Sequence, residues 1–348
     1  MQAAFGIEPA GMRGQRGSTT TMPNPPSPNP APNPPPAPRI AGAGAIGSSP
    51  VRTVRQWAEF VKFSHTIFAL PFALAATAVA ARQTAGWPGW RLFFLILAAM
   101  VCARTCAMAF NRIVDRKFDA LNPRTAGRHL PAGAISLSSA ITLCVLSGAG
   151  FVAVAWGINP VCFGLSPVAL GVICFYSLTK RFTDFTHVFL GVALALAPVG
   201  AWLAVRGTSV TWMEGLQMTL LALAVVFWLI GFDLIYALQD FEFDRKQRLG
   251  SLVVRWGQRN ALVAAFLAHL IMILLLAGFG LACRFRLAYW AGLGVIALCL
   301  LLEHLIARKR SLDWVNLAFF RMNALVSTVF LVVTVAEVVF PFFRPQRG

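Results

Sequence analysis

Nine stretches of this 348-residue chain are each long and apolar enough to cross a lipid bilayer, which leaves few folds open to it. They fall near 61–81, 92–113, 137–157, 160–179, 185–205, 212–236, 259–281, 287–306 and 321–341. A spanning helix needs about 20 mostly apolar residues. In hydrocarbon every backbone N–H and C=O must be satisfied within the protein, so continuous apolar runs of this length predict helices rather than strands. The expected fold is all-α, nine transmembrane helices forming one domain over residues 51–344. The chain is 57% hydrophobic and 12% charged, against about 25% charged residues in soluble domains.

The net charge of +17 would suggest nucleic acid in a soluble protein. Here the basic residues sit in short runs between apolar stretches, which argues against a nucleic-acid partner and for the membrane surface. Eighteen Lys and Arg fall in segments on the side of the first span's start, and seven on the other. The positive-inside rule then puts the N-terminus in the cytoplasm of a multi-pass inner (plasma) membrane protein, with the C-terminus outside. Residues 1–50 differ in kind. Ten of the 21 prolines lie between Pro23 and Pro38, and such a tail is expected to be disordered, with no secretory signal in it. All seven cysteines lie within or beside apolar segments and read as small hydrophobes, without a disulfide framework or a metal site.

Six of the 13 acidic residues crowd into two short windows, Asn111–Asp119 and Asp233–Asp244. On a helix, residues four apart are neighbours. Asn111, Asp115 and Asp119 therefore form one oxygen-rich stripe, and Tyr236, Asp240 and Asp244 a second. The two Asp pairs are offset by 125 residues, after the second and sixth spans. That spacing predicts two similar four-helix halves plus a ninth helix, with both acidic segments on one membrane face. Carboxylates at a membrane helix end are costly unless paired or bound. An all-oxygen donor set suits Mg²⁺, which prefers a few carboxylates plus substrate phosphates. Arg124 and Arg128 follow the first motif in a turn-rich loop, and Tyr176, Lys180 and Arg181 end the fourth span; the cations are suited to phosphate oxygens. Interleaved acids and bases also allow solvated, salt-bridged loops. A cation-coupled transporter is the reading from another class, but transporters place carboxylates near the midplane, whereas these sit at helix ends.

In order along the chain stand N-x₃-D-x₃-D (Asn111, Asp115, Asp119), R-T-x₂-R (Arg124, Thr125, Arg128), Y-x₃-K-R (Tyr176, Lys180, Arg181) and D-x₂-Y-x₃-D-x₃-D (Asp233, Tyr236, Asp240, Asp244). With these motifs, residues 55–340 closely resemble the UbiA superfamily of membrane prenyltransferases. The resemblance implies a helical bundle with a central cavity capped by the acidic segments. It implies that Asn111, Asp115, Asp119, Asp240 and Asp244 hold two Mg²⁺ ions and, through them, a polyprenyl diphosphate. Lys180, Arg128 and Arg181 would neutralise the departing diphosphate, while Tyr176 and Asp233 would line the reacting end. Asp115–Asp119 with Arg124, Thr125 and Arg128 resembles the 4-hydroxybenzoate polyprenyltransferase group of ubiquinone biosynthesis. Ala107–Asn111 with Asn122–Thr125 looks like the branch assigned to menaquinone synthesis through futalosine. Related acceptors such as haem or a sugar phosphate are the alternatives within the superfamily. An aromatic acid would need a cation, for which Lys62 and Arg104 are the candidates; an Arg inside a membrane helix usually faces a polar cavity.

Overall fold

Short polar signals set the helix boundaries. Asn159 ends one helix and caps the next, its Oδ1 accepting from Cys162 N at 2.9 Å with Pro160 at the first helical position. Thr211 and Glu214 form a capping box, in which Thr211 N donates to Glu214 Oε2 at 2.8 Å and Glu214 N donates to Thr211 Oγ1 at 3.3 Å. Each device satisfies backbone donors that a helix start leaves unpaired.

The computed structural model describes residues 56–61, 66–308 and 312–340; the proline-rich segment and Lys62 lie outside them. Among the described residues nine long helices follow in order: α1 (Thr66–Ala80), α2 (Trp90–Leu121), α3 (Leu137–Ile158), α4 (Pro160–Phe175), α5 (Thr186–Arg206), α6 (Trp212–Ala237), α7 (Leu252–Ala282), α8 (Leu287–Arg308) and α9 (Leu312–Val339). A 3₁₀ segment, Tyr176–Arg181, extends α4. A 3₁₀ turn, Leu238–Asp240, and a helical turn, Phe241–Lys246, extend α6. Among the described residues there is no strand.

Eight of the nine expected spans are long and apolar enough to cross a membrane. The exception is α1, of which 15 residues from Thr66 are described. At the other extreme, α2 runs eight residues past its apolar stretch, so Asp115 and Asp119 stand on a helix and not in a loop. The ninth helix starts at Leu312, well before the expected 321, because its first turns carry Asp313, Asn316 and Arg321.

Interhelix hydrogen bonds identify two ends. At one, Arg91 donates to the Gly157 carbonyl at 3.0 Å, Asn159 to that of Leu203 at 3.0 Å and Gln217 to that of Ala282 at 2.8 Å. Exposed Trp87, Trp90, Trp156 and Trp212 gather there, as tryptophan does at a membrane–water interface. The acidic motifs occupy the opposite end. Between the ends, α6 is the most buried helix, packed on α5 and α7. Gly231 lets α7 approach, since a Cβ there would lie 2.2 Å from the His269 ring. In the first half α1 and α2 scarcely touch, and an apolar chamber lies in that half.

Candidate active site

The acidic end of the bundle is a set of ion pairs. At the end of α2, Asn111 Nδ2 donates to Asp115 Oδ2 at 2.8 Å, the neighbour contact that a four-residue spacing sets up. Asp115 also receives Arg181 Nη2 at 3.2 Å, and the same guanidinium bonds the Val114 carbonyl at 2.7 Å. One turn on, Asp119 is 6% exposed and receives Arg128 Nη1 at 2.6 Å. Thr125 Oγ1 donates to the Asp119 carbonyl at 2.9 Å and folds the loop back over the helix end. Arg112, 5% exposed, stands 3.8 Å from Asp119 Oδ2.

The second acidic segment closes on the first. Arg124 reaches from the α2–α3 loop to Asp240 with Nε at 2.9 Å and with Nη2, and to Tyr236 Oη with Nη1 at 3.0 Å. Burial works against the charge on Arg124, but its bonds to Asp240 and Tyr236 outweigh this and hold its pKa above the ordinary value. Asn122 adds a 3.2 Å bond to Asp240. Asp244, 3% exposed, receives Lys180 Nζ at 3.2 Å. The expected single stripe of Tyr236, Asp240 and Asp244 is thus divided by partner: Tyr236 and Asp240 share Arg124, and Asp244 takes Lys180. A 3₁₀ turn at Leu238–Asp240 interrupts the helix between Tyr236 and Asp244. Glu242 lies outside the cluster, paired at 3.1 Å with Arg245 on the exposed side.

Lys180 joins the two segments, lying within electrostatic reach of Asp233 and Asp240 as well as Asp244 and Asp115. Its carbonyl accepts from Gly250 N at 2.7 Å. Gly250 must lack a side chain, because a Cβ would sit 2.2 Å from the Thr183 carbonyl oxygen. Asp233 stands apart, 2.6 Å from His187 Nδ1 on α5.

The donors present fit Mg²⁺ in kind. All are oxygen, and the buried Asp119 Oδ2 has no hydrogen-bond partner, leaving it open to a cation. Among the described residues, no three ligating side chains already converge on one point. Each of Asp115, Asp119, Asp240 and Asp244 is instead held by Lys or Arg. The salt bridges anticipated for solvated loops therefore exist, with Asp119, Asp240 and Asp244 enclosed and their cations part-exposed.

Beneath this end lies a cavity of about 280 Å³ walled chiefly by α2, α3, α4 and α5. Arg104 and Tyr176 line it beside Met108, while Ile96, Ile158 and Ala204 line it far from the acids. From Ile96 to Met108 the chamber follows α2 for about 18 Å. Leu165 and Val168 of α4 both line it and are exposed to the outside, so a long apolar chain can continue from the chamber into lipid.

Sequence reasoning singled out the acids, Arg104, Tyr176 and the flanking bases, and the structure brings them to one end. It missed Asn122, the burial of Arg112 and the partner of Asp233. A histidine within an apolar span was the available signal for the last, since such residues rarely face lipid.

A polar, charge-balanced mouth above an apolar chamber open to the bilayer defines a membrane prenyltransferase. Residues 69–325 match the UbiA prenyltransferase family, and the chain belongs to it. It is 32% identical over 255 residues to the 4-hydroxybenzoate octaprenyltransferase of Methylobacillus flagellatus, covering 72% of this chain and 83% of that one. The same-named protein of Alcanivorax borkumensis is 32% identical over 231 residues, 65% of this chain and 76% of the relative. The apo structure of a UbiA homolog from Aeropyrum pernix K1 superposes with a TM-score of 0.70 at 31% identity, covering 78% of this chain and 96% of that one. A UbiA homolog from Archaeoglobus fulgidus bound to GPP and Mg²⁺ shares the fold at 22% identity, with a TM-score of 0.62 over 82% of this chain and 99% of that one.

Proposed function

We propose that this protein transfers a polyprenyl group from its diphosphate to a ring carbon of 4-hydroxybenzoate, a step of ubiquinone biosynthesis. The observation that carries the reading is the juxtaposition of four acid–base pairs, their cations part-exposed, with an apolar chamber. The names of the similar curated relatives supply the acceptor.

Asn111, Asp115, Asp119, Asp240 and Asp244 would hold Mg²⁺, which when bound would supply charge stabilisation to the departing diphosphate. Arg124, Arg128, Lys180 and Arg181, now paired with these carboxylates, would bind diphosphate oxygens, with Arg contacts bidentate. Such an exchange of partners would leave no buried charge alone, which costs about 3–5 kcal/mol. The chamber takes the first isoprene units, and its apolar walls keep water from the allylic cation. Arg104, beside Tyr176, receives the acceptor's carboxylate. The acidic end faces the cytoplasm, in line with the basic residues on that side.

The test offers purified protein one prenyl diphosphate, Mg²⁺ and either 4-hydroxybenzoate or a hydroxynaphthoate. Prenylated 4-hydroxybenzoate is the expected product. Prenylation of the hydroxynaphthoate alone would move the protein to the menaquinone branch, and cleavage without either product would overturn the acceptor class.

A further inference from the structure

Among the acidic residues of this end, Asp233 alone is held by a histidine. Its Oδ2 lies 2.6 Å from Nδ1 of His187, a fully buried residue of α5. Nε2 of the same ring is 3.3 Å from Ser251 Oγ. Ser251 caps α7, and its Oγ already accepts from Val253 N at 3.2 Å. Ser251 Oγ–H can donate to Nε2, and in that tautomer Nδ1–H donates to Asp233 Oδ2 and leaves Oδ1 as the basic oxygen.

The position of this chain of groups matters as much as its bonding. Asp233 precedes Asp240 by seven residues, about 10 Å deeper along the helix, below the groups assigned to metal and diphosphate. Its side chain is 22% exposed although His187 is enclosed, and it lies within electrostatic reach of Lys180. The proposed reaction leaves one need unmet: the substituted ring carbon must lose a proton.

We propose that Asp233 takes that proton, and that His187, fixed by Ser251, is the positioning residue that aims Asp233 at the ring. The inference rests on the aromatic-acceptor reading above. The allylic C–O bond breaks and its electron pair leaves with the diphosphate. A π pair of the ring forms the new C–C bond. The C–H bond at that carbon then breaks, its pair restores aromaticity, and the proton passes to Asp233 Oδ1 and later to water.

Proton removal from a ring carbon has a specific signature, a kinetic isotope effect that emerges when deprotonation becomes slow. The experiment uses full-length protein, Mg²⁺, a prenyl diphosphate and 4-hydroxybenzoate deuterated beside the hydroxyl, with diphosphate release and prenylated acid measured separately. Wild type should show an isotope effect near unity and equal yields of the two products. Asp233→Asn and His187→Phe should lose prenylated acid on the order of 10²-fold and show an isotope effect well above unity. Diphosphate release should fall less, with the excess cation appearing as prenyl alcohol. His187→Asn, which retains an N–H donor near Nδ1, should recover part of the transfer, and Ser251→Ala should give a milder version of the same pattern in a fold left intact. Isotope effects near unity in every variant, with both products falling together, would overturn the proposal and assign the proton to the leaving diphosphate. Wild type that releases diphosphate but prenylates no aromatic acid would overturn the underlying reading and this one with it.

Discussion

Asp119 and Asp240 show how the site is poised at the scale of single residues. Each is a carboxylate that a metal can use, and each is held by an arginine, Arg128 at 2.6 Å for Asp119 and Arg124 for Asp240. Replacing Asp115 or Asp240 with Asn removes a ligand while keeping the shape. The loss of leaving-group stabilisation is several kcal/mol, so turnover in a steady-state assay should fall on the order of 10²-fold or more. Glu242→Gln should leave turnover near wild type, because that side chain faces outward against Arg245. Arg104→Ala should raise KM for the aromatic acid roughly tenfold, the worth of one charge-assisted hydrogen bond, with KM for the prenyl diphosphate little changed. Equal shifts in both constants would remove Arg104 from the acceptor's site. The identity of these residues was legible in the sequence because acidic residues are so rare in an apolar chain. Their pairing was not: Arg124 and Asp240 are 116 residues apart, and nothing local to either predicts the contact.

At the scale of elements, the 3₁₀ turn after α6 and the loop before α7 place the second half of the site. The apolar pattern gave α3, α5, α6 and α8 to within two residues, because lipid-facing stretches have no other structure open to them, but missed the last turns of α2 and the first turns of α7, which carry charged residues. It did not give the turn at Leu238–Asp240, which no Pro or Gly marks. Gly250 is where this geometry is most exposed to change. In Gly250→Ala the Cβ meets the backbone of Thr183 at 2.2 Å, and neither neighbour can give way without moving Lys180 or Ser251. We expect a large loss of kcat with the helical circular dichroism unchanged; normal kcat would show that the loop does not fix Lys180. Gly231→Ala acts on packing instead, crowding the buried His269 ring between α6 and α7. Overpacking of this kind costs about 1–3 kcal/mol, and thermal denaturation in detergent should record a lowered midpoint.

On the scale of the whole molecule, the bundle separates charge from lipid along its axis. Tryptophans and main-chain clasps close one end, acid–base pairs close the other, and the chamber between them opens past Leu165 and Val168. Single cysteines placed beside Asp119 and Asp244 should react with an impermeant thiol reagent from the same, cytoplasmic face, in a background stripped of the native cysteines. Residues 1–50 are expected to be dispensable, so a chain starting near Arg52 should insert and turn over normally; a large loss of specific activity would give the proline-rich segment a role. Because every carboxylate proposed to bind metal is tied to a cation, metal and diphosphate should each bind weakly alone and tightly together, a positive coupling that is reciprocal by linkage. The most direct test of a single site shared by both acidic segments is calorimetric titration of Mg²⁺ into wild type, Asp115→Asn and Asp240→Asn, with and without a non-hydrolysable prenyl diphosphate analogue. The analogue should tighten Mg²⁺ binding in wild type, and either substitution should abolish most of that tightening. Full tightening retained in either variant would contradict a shared site.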